Sequence, residues 1–219
     1  MKIERTEKYI ELTSLPFADY LEEIKEAAVS EGIPIIRPSV QSLLRFLMKT
    51  KNPQSILEIG SAVGFSALLM HEYGNGSEIT TIENYAPRIK KAKENFAKYA
   101  SDVYEDDGSG SLKLLEGDAE KILPDLKSDT YDFIFLDAAK GQYIVMLPEI
   151  VRLLKKGGML FSDNVLQDGD IIEPKAFVRR RDRTIYERMR EYLSCISSHE
   201  ELESAILPMA DGVTVSVKK

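Results

Sequence analysis

From residue 55 onward, short apolar runs alternate with helix-period segments, and this alternation restricts the chain to few folds. Strands are expected at 55–59, 79–83, 112–115, 131–136 and 158–162. Helices are expected at 65–73, 87–99 and 143–154, with a short one ending near Pro124. Such βαβ succession implies a mostly parallel sheet. The end of the chain differs. Segments 205–209 and 213–217 are β-rich and separated only by Ala210-Asp211-Gly212, a connection that permits only an antiparallel hairpin. The reading is a seven-stranded α/β sheet, parallel except for a reversed pair at one edge. Before it, residues 1–50 read as a helical extension. Leu21, Ile24 and Ala28, then Leu43, Leu44 and Leu47, recur at helical spacing around a Gly32/Pro34/Pro38 break. One domain over 1–219 is expected, with 55–219 as its α/β core.

Composition excludes several classes. The chain has 219 residues, 43% of them hydrophobic, enough to bury a core without disulfides or structural metal. One cysteine, Cys195, rules out an internal disulfide and a multi-cysteine zinc site. His71, His199 and Cys195 read as ordinary helix or surface residues. No apolar run approaches the roughly 18 residues of a membrane span, and the charged start Met1-Lys2-Ile3-Glu4-Arg5 lacks a signal-peptide core. A cytoplasmic location and no membrane partner are the expectation. The formal net charge of −7 argues against sequence-independent nucleic-acid binding, but residues 175–190 carry seven basic residues against two acidic ones.

In such sheets ligands bind at the carboxyl ends of the strands, near the point where strand order reverses. The first strand ends in Glu58-Ile59-Gly60-Ser61-Ala62-Val63-Gly64. Its glycines permit a tight turn and close approach of a ligand, although a dinucleotide fingerprint would place glycine where Ala62 stands; an ordinary strand–helix turn reads equally well. Glu83 ends the second strand, placed either to accept from ribose hydroxyls or to sit solvated. Asp118, in Glu116-Gly117-Asp118-Ala119, either faces an adenine or caps a helix. The fourth and fifth strands run into Asp137-Ala138-Ala139-Lys140 and Asp163-Asn164. Two carboxylates and an amide oxygen on neighbouring strands suit a hard cation such as Mg²⁺, with Lys140 beside it as a base. Taken alone, Asp163-Asn164 also reads as a turn or cap.

Together these motifs resemble the cation-dependent, catechol-type O-methyltransferases, over about Ile35 to the C-terminus. The resemblance implies a Rossmann-like class I methyltransferase fold and S-adenosylmethionine as cofactor, held by Ile36, Glu58, Gly60, Ser66, Glu83, Asp118, Ala119 and Asp137. It implies Asp137, Asp163 and Asn164 as ligands of Mg²⁺ or another hard divalent cation. Lys140 and Asp137 become the catalytic pair, and a homodimer is common. Tryptophan, which such enzymes commonly place against the substrate, is absent from the chain.

The motif Asp137-Ala-Ala-Lys-Gly-Gln-Tyr143, the arginine cluster and the ending Asp211-Gly212-Val-Thr-Val-Ser-Val-Lys-Lys219 resemble one bacterial branch of that family, the transfer-RNA 5-hydroxyuridine methyltransferases. These make 5-methoxyuridine at the wobble position. Lys175, Arg179, Arg180 and Arg183 are then candidate RNA contacts, although the segment also reads as a solvated helix face with Arg183–Glu187 and Glu187–Arg190 pairs. At 100° per residue, Ile185, Met189, Leu193 and Ile196 form an apolar helix face bordered by Arg179, Arg183 and Arg190, with Arg181 and Arg188 opposite. Two other readings stand beside the anticodon-loop substrate. One is a small catechol or caffeoyl-CoA-like substrate at the same site; the other is a non-catalytic nucleotide-binding α/β domain.

Overall fold

A computed structural model describes residues 2–219, so Met1 of the expected extension lies outside it. The chain divides into two compact units.

One unit comprises the residues up to Gln54 together with Ser61–Gly117. It holds helices α1 (Lys2–Thr13), α2 (Asp19–Ser30), α3 (Pro38–Lys51), α4 (Phe65–Tyr73) and α5 (Ala86–Tyr99), with strands β2 (Glu78–Glu83) and β3 (Leu112–Glu116). The expected break between the first apolar stripes is real: α2 ends at Ser30, Gly32 takes φ +66°, and Pro38 opens α3. Proline suits that first position because its missing N–H would be unpaired there anyway. A further helix, α1, precedes the stripes. Its buried Glu7 accepts from the Ser39 N–H (2.9 Å) and the Ser39 hydroxyl (2.6 Å), capping α3 from outside. β2 and β3 pair in parallel from Ile79–Leu112 to Glu83–Glu116.

The other unit comprises Ser55–Gly60 and Asp118–Lys219. It holds β1 (Ser55–Ile59), α6 (Ala119–Ile122), β4 (Tyr131–Leu136), α7 (Tyr143–Leu153), β5 (Leu154–Ser162), α8 (Arg183–Ser198), β6 (Leu202–Leu207) and β7 (Val213–Lys218). β1, β4 and β5 run parallel, whereas β7 lies antiparallel to both β5 and β6. β4 is buried because α/β strands are covered on both faces; its Phe133 and Phe135 meet Phe161 of β5 at 6.5 and 5.5 Å between ring centres.

The strand order is β3-β2-β1-β4-β5-β7-β6, the seven-stranded, mostly parallel sheet that the alternation implies. Order reverses at β1, so the carboxyl ends of β1 and β4 form the switch point. Two expectations shift. β6 lies at Leu202–Leu207, not 205–209. Leu207 pairs with Val213, so the hairpin turn takes in Pro208, which could not donate to the ladder, and turns through Ala210 (φ +47°) and Gly212 (φ +85°). β5 starts at Leu154, with an irregularity in its register before Phe133–Met159.

Candidate active site

The strand ladders continue past the strand ends and fix the acidic residues there. Asp137 N–H donates to the Ile59 carbonyl and Asp163 N–H to the Leu136 carbonyl, both at 3.0 Å. Asp137 and Asp163 are thereby carried on adjacent strands. Lys140, in a single 3₁₀ turn, closes the group: its ammonium lies 2.7 Å from Asn164 Oδ1 and 3.3 Å from Asp137 Oδ1. Lys140 thus joins Asp137 to Asn164, the residue that follows Asp163.

Asp163 is the unusual member. It is 1% exposed; its Oδ1 accepts from the Asn164 N–H at 2.7 Å, and its buried Oδ2 has no hydrogen-bond partner among the described residues. Burial first, then the Asp137 carboxylate, push its carboxyl up to about 7. A buried carboxylate oxygen left without a donor is expensive unless something cationic meets it. The ammonium of Lys140 shows that a positive group is accepted by two of the three donors. Asp137, Asp163 and Asn164 therefore fit a hard divalent cation. Among the described residues no group of three or more His, Cys, Asp or Glu side chains could hold a metal. The candidate donors here are two carboxylates and one amide oxygen, which would leave further positions to water or substrate.

Beneath the group lies Tyr143, which sequence reasoning named only as a motif letter. It is fully buried, its hydroxyl 3.2 Å from the Leu136 carbonyl and 3.1 Å from the Asp163 carbonyl, linking the ends of β4 and β5. Its ring meets Tyr192 edge-on at 5.4 Å, and the Tyr192 hydroxyl lies 2.6 Å from Ser162 Oγ. Burial raises both phenols, Tyr143 well above the ordinary range and Tyr192 to about 12.

The turn after β1 requires its first glycine. Gly60 has φ +102°, and a Cβ there would lie 2.1 Å from the Asp137 carbonyl oxygen. Backbone thus approaches backbone where β1 and β4 diverge. Glu58 on the same strand is fully buried. In this unit Asp118 caps α6, accepting from the Glu120 N–H at 3.1 Å, and Ala119 is the first helical residue.

In the other unit, Glu83 is buried and engaged. Oε2 accepts from the Ala62 N–H, and Oε1 from the Asn84 and Tyr85 N–H groups, each at 2.9 Å. A carboxylate offers about four acceptor sites, so three are used by its own chain. The solvated-acid alternative fails, and capacity for both ribose hydroxyls is reduced. Ser66 and Ile36 are buried, and the Ile36 carbonyl accepts from Gln41 Nε2.

The basic segment departs from the helical-wheel expectation. α8 begins at Arg183; Arg180–Asp182 form a separate 3₁₀ turn, so Arg179 and Arg181 are not on its face. The buried face comprises Tyr186, Met189, Leu193 and Ile196 with Tyr192, while Ile185 is 37% exposed. Arg183 donates to the Val178 carbonyl and Arg190 to the Ile171 carbonyl, and Glu187 pairs with Lys175. Arg179, Arg180 and Arg181 are exposed, as are Phe177 and Ile172.

Comparison with known proteins identifies relatives over most of the chain. A Mycobacterium marinum protein provisionally named an O-methyltransferase is 29% identical over 199 residues, 90% of this chain and 84% of that one. The SAH-bound methyltransferase PaMTH1 of Podospora anserina superposes with a TM-score of 0.86 at 28% identity, covering all of this chain and 95% of its own. A Staphylococcus aureus protein provisionally named a caffeoyl-CoA O-methyltransferase gives 0.87 at 28% identity, covering 98% and 99%. The family model described as O-methyltransferase matches residues 11–219, so the acidic strand ends, the glycine turn and the terminal hairpin all fall inside the match, and the chain belongs to the O-methyltransferase family.

Proposed function

We propose that this chain transfers a methyl group from S-adenosylmethionine to the hydroxyl oxygen of a substrate that carries a second oxygen on the adjacent carbon, with help from a divalent cation such as Mg²⁺. The observation that carries this reading is the buried, unpartnered Asp163 Oδ2 beside an ammonium shared by Asp137 and Asn164. Asp137, Asp163 and Asn164 hold the cation. Ile36, Glu58, Gly60, Ser66, Glu83, Asp118, Ala119 and Asp137 form the cofactor set. When bound, the cofactor supplies an electrophilic methyl group, and the cation acidifies and orients the hydroxyl. We assign Lys140 to take the hydroxyl proton as the neutral amine, once a cation would occupy the place its ammonium now holds between Asp137 and Asn164.

The substrate we favour is 5-hydroxyuridine at the wobble position of transfer RNA, giving 5-methoxyuridine in the cytoplasm. Its O5 and O4 are adjacent oxygens, and an anticodon-loop base is already unpaired. Support comes from exposed Arg179, Arg180 and Phe177, which offer forks for phosphate and a face for a base. Lys175 and Arg183 are the other RNA candidates. A small catechol or caffeoyl-CoA-like substrate is the second reading, favoured by the provisional name of the Staphylococcus aureus neighbour and by the net charge of −7. The deciding experiment incubates the protein with Mg²⁺, S-adenosylmethionine and either transfer RNA bearing 5-hydroxyuridine or free catechols. Methylated nucleoside, lost in an Arg179→Ala/Arg180→Ala variant that still binds the cofactor, supports the RNA reading. Turnover of catechols alone rejects it. A homodimer is proposed through exposed Tyr9, Leu12, Leu15 and Phe46, and sedimentation tests it.

A further inference from the structure

Asp211 sits in the turn between β6 and β7, 47 residues beyond Asn164, yet this turn is docked on the segment that carries two of the candidate cation ligands. The Val165 N–H donates to the Gly212 carbonyl at 2.9 Å, and the Leu166 N–H to the Asp211 carbonyl at 2.8 Å. Gly212 is pressed against Leu166: a Cβ at that position would lie 2.2 Å from Leu166 Cγ. Held in this way, the Asp211 carboxylate accepts from Asn164 Nδ2 at 3.3 Å.

That contact has a chemical consequence. An asparagine amide has nearly the same shape either way round, but only its oxygen can bind a cation. Two neighbours set its sense. Lys140 can only donate, so it selects Oδ1; the Asp211 carboxylate can only accept, so it selects the NH₂ group. A cation on Oδ1 would take the place of the Lys140 ammonium there. Asp211 is then the residue left to hold the amide oxygen-inward. Asn164 itself has φ +58°, a left-handed conformation that its own turn must be held in, and the two backbone bonds from 165 and 166 do that.

We propose that Asp211 is a positioning residue that orients the Asn164 amide, with its oxygen toward the cation and its nitrogen away. This rests on the cation reading above. Outer partners of this kind typically change metal affinity 10–100-fold when removed. The test is Mn²⁺ titration of the full chain, with free Mn²⁺ read by electron paramagnetic resonance. Asp211→Ala is expected to weaken Mn²⁺ binding by about 10–100-fold. Asp211→Asn, which keeps the turn's shape and an accepting oxygen, retains most of the affinity. In an Asn164→Asp background the donor has two equivalent oxygens and needs no orientation, so adding Asp211→Ala costs no affinity there. An Asp211→Ala variant that binds Mn²⁺ like the parent overturns the inference. So does an equal loss in the Asn164→Asp background, which would trace the effect to the turn. If the parent itself binds no Mn²⁺, the cation reading falls and this inference with it; binding by the parent with no effect of Asp211→Ala sinks this inference alone.

Discussion

Replacing Gly60 by alanine tests whether β1 and β4 must approach as closely as they do. The new Cβ would stand 2.1 Å from the Asp137 carbonyl oxygen and 2.8 Å from its carbon. Ordinary contact needs more than 3 Å, so backbone must move by about 1 Å, and no flexible side chain can absorb it. Overpacking of this kind costs about 1–3 kcal/mol. Holding a side-chain-bearing residue at φ +102° adds roughly 1–3 kcal/mol. The sum, about 2–6 kcal/mol, corresponds to a fall in Tm of roughly 5–20 °C for a chain of this size. Gly157→Ala separates the two contributions, because Gly157 has φ +79° but nothing within 4 Å of a new Cβ. It should show the conformational part alone. Thermal unfolding by circular dichroism gives the comparison, and Mn²⁺ binding reports whether Asp137 has moved. A Gly60→Ala protein that melts with Gly157→Ala and binds Mn²⁺ like the parent would refute the close-approach argument.

Three other outcomes follow from the same structure. Tyr143→Phe keeps the ring but removes the hydroxyl joining the Leu136 and Asp163 carbonyls, and should lose about 0.5–1.5 kcal/mol in urea unfolding. Lys218→Met strips donors from the Val151 and Leu154 carbonyls and from Asp129 at the end of α7; a loss of about 1.5–3 kcal/mol is expected, and an unchanged urea midpoint would contradict it. Alkali should destabilise the fold through Tyr192. Its phenol titrates near 10 when unfolded but at about 12 when buried, so stability is full below pH 10 and declines toward pH 12, by about 2–3 kcal/mol. Urea midpoints measured from pH 9 to 11 should fall more steeply in the parent than in Tyr192→Phe.

The parallel strands were legible because burial on both faces leaves near-continuous apolar runs, as in 131–136. β6 was misplaced because it is an edge strand: Glu203, Ala205 and Ile206 are exposed, so it carries polar residues that blur the pattern. The acidic strand ends were readable one by one, and the contacts of Lys140 with Asp137 and Asn164 follow from the adjacency of β4 and β5. Three features had no local signal. The start of α8 at Arg183 follows a 3₁₀ turn with no glycine or proline at the junction, so a wheel drawn through Arg179 and Arg181 fails. The engagement of Glu83 by three backbone N–H groups depends on the turn at Ala62, 21 residues earlier. The Asp211–Asn164 contact exists only because β7 returns beside β5.

The central claim is that Asp137, Asp163 and Asn164 surround one divalent ion. Crystals soaked with Mn²⁺ and S-adenosylmethionine, measured at the manganese edge, test it directly. The account predicts one anomalous peak within bonding distance of all three side-chain oxygens, with the Lys140 ammonium withdrawn from Asn164. A density map with no peak there, and Lys140 still bridging Asp137 and Asn164, would contradict it.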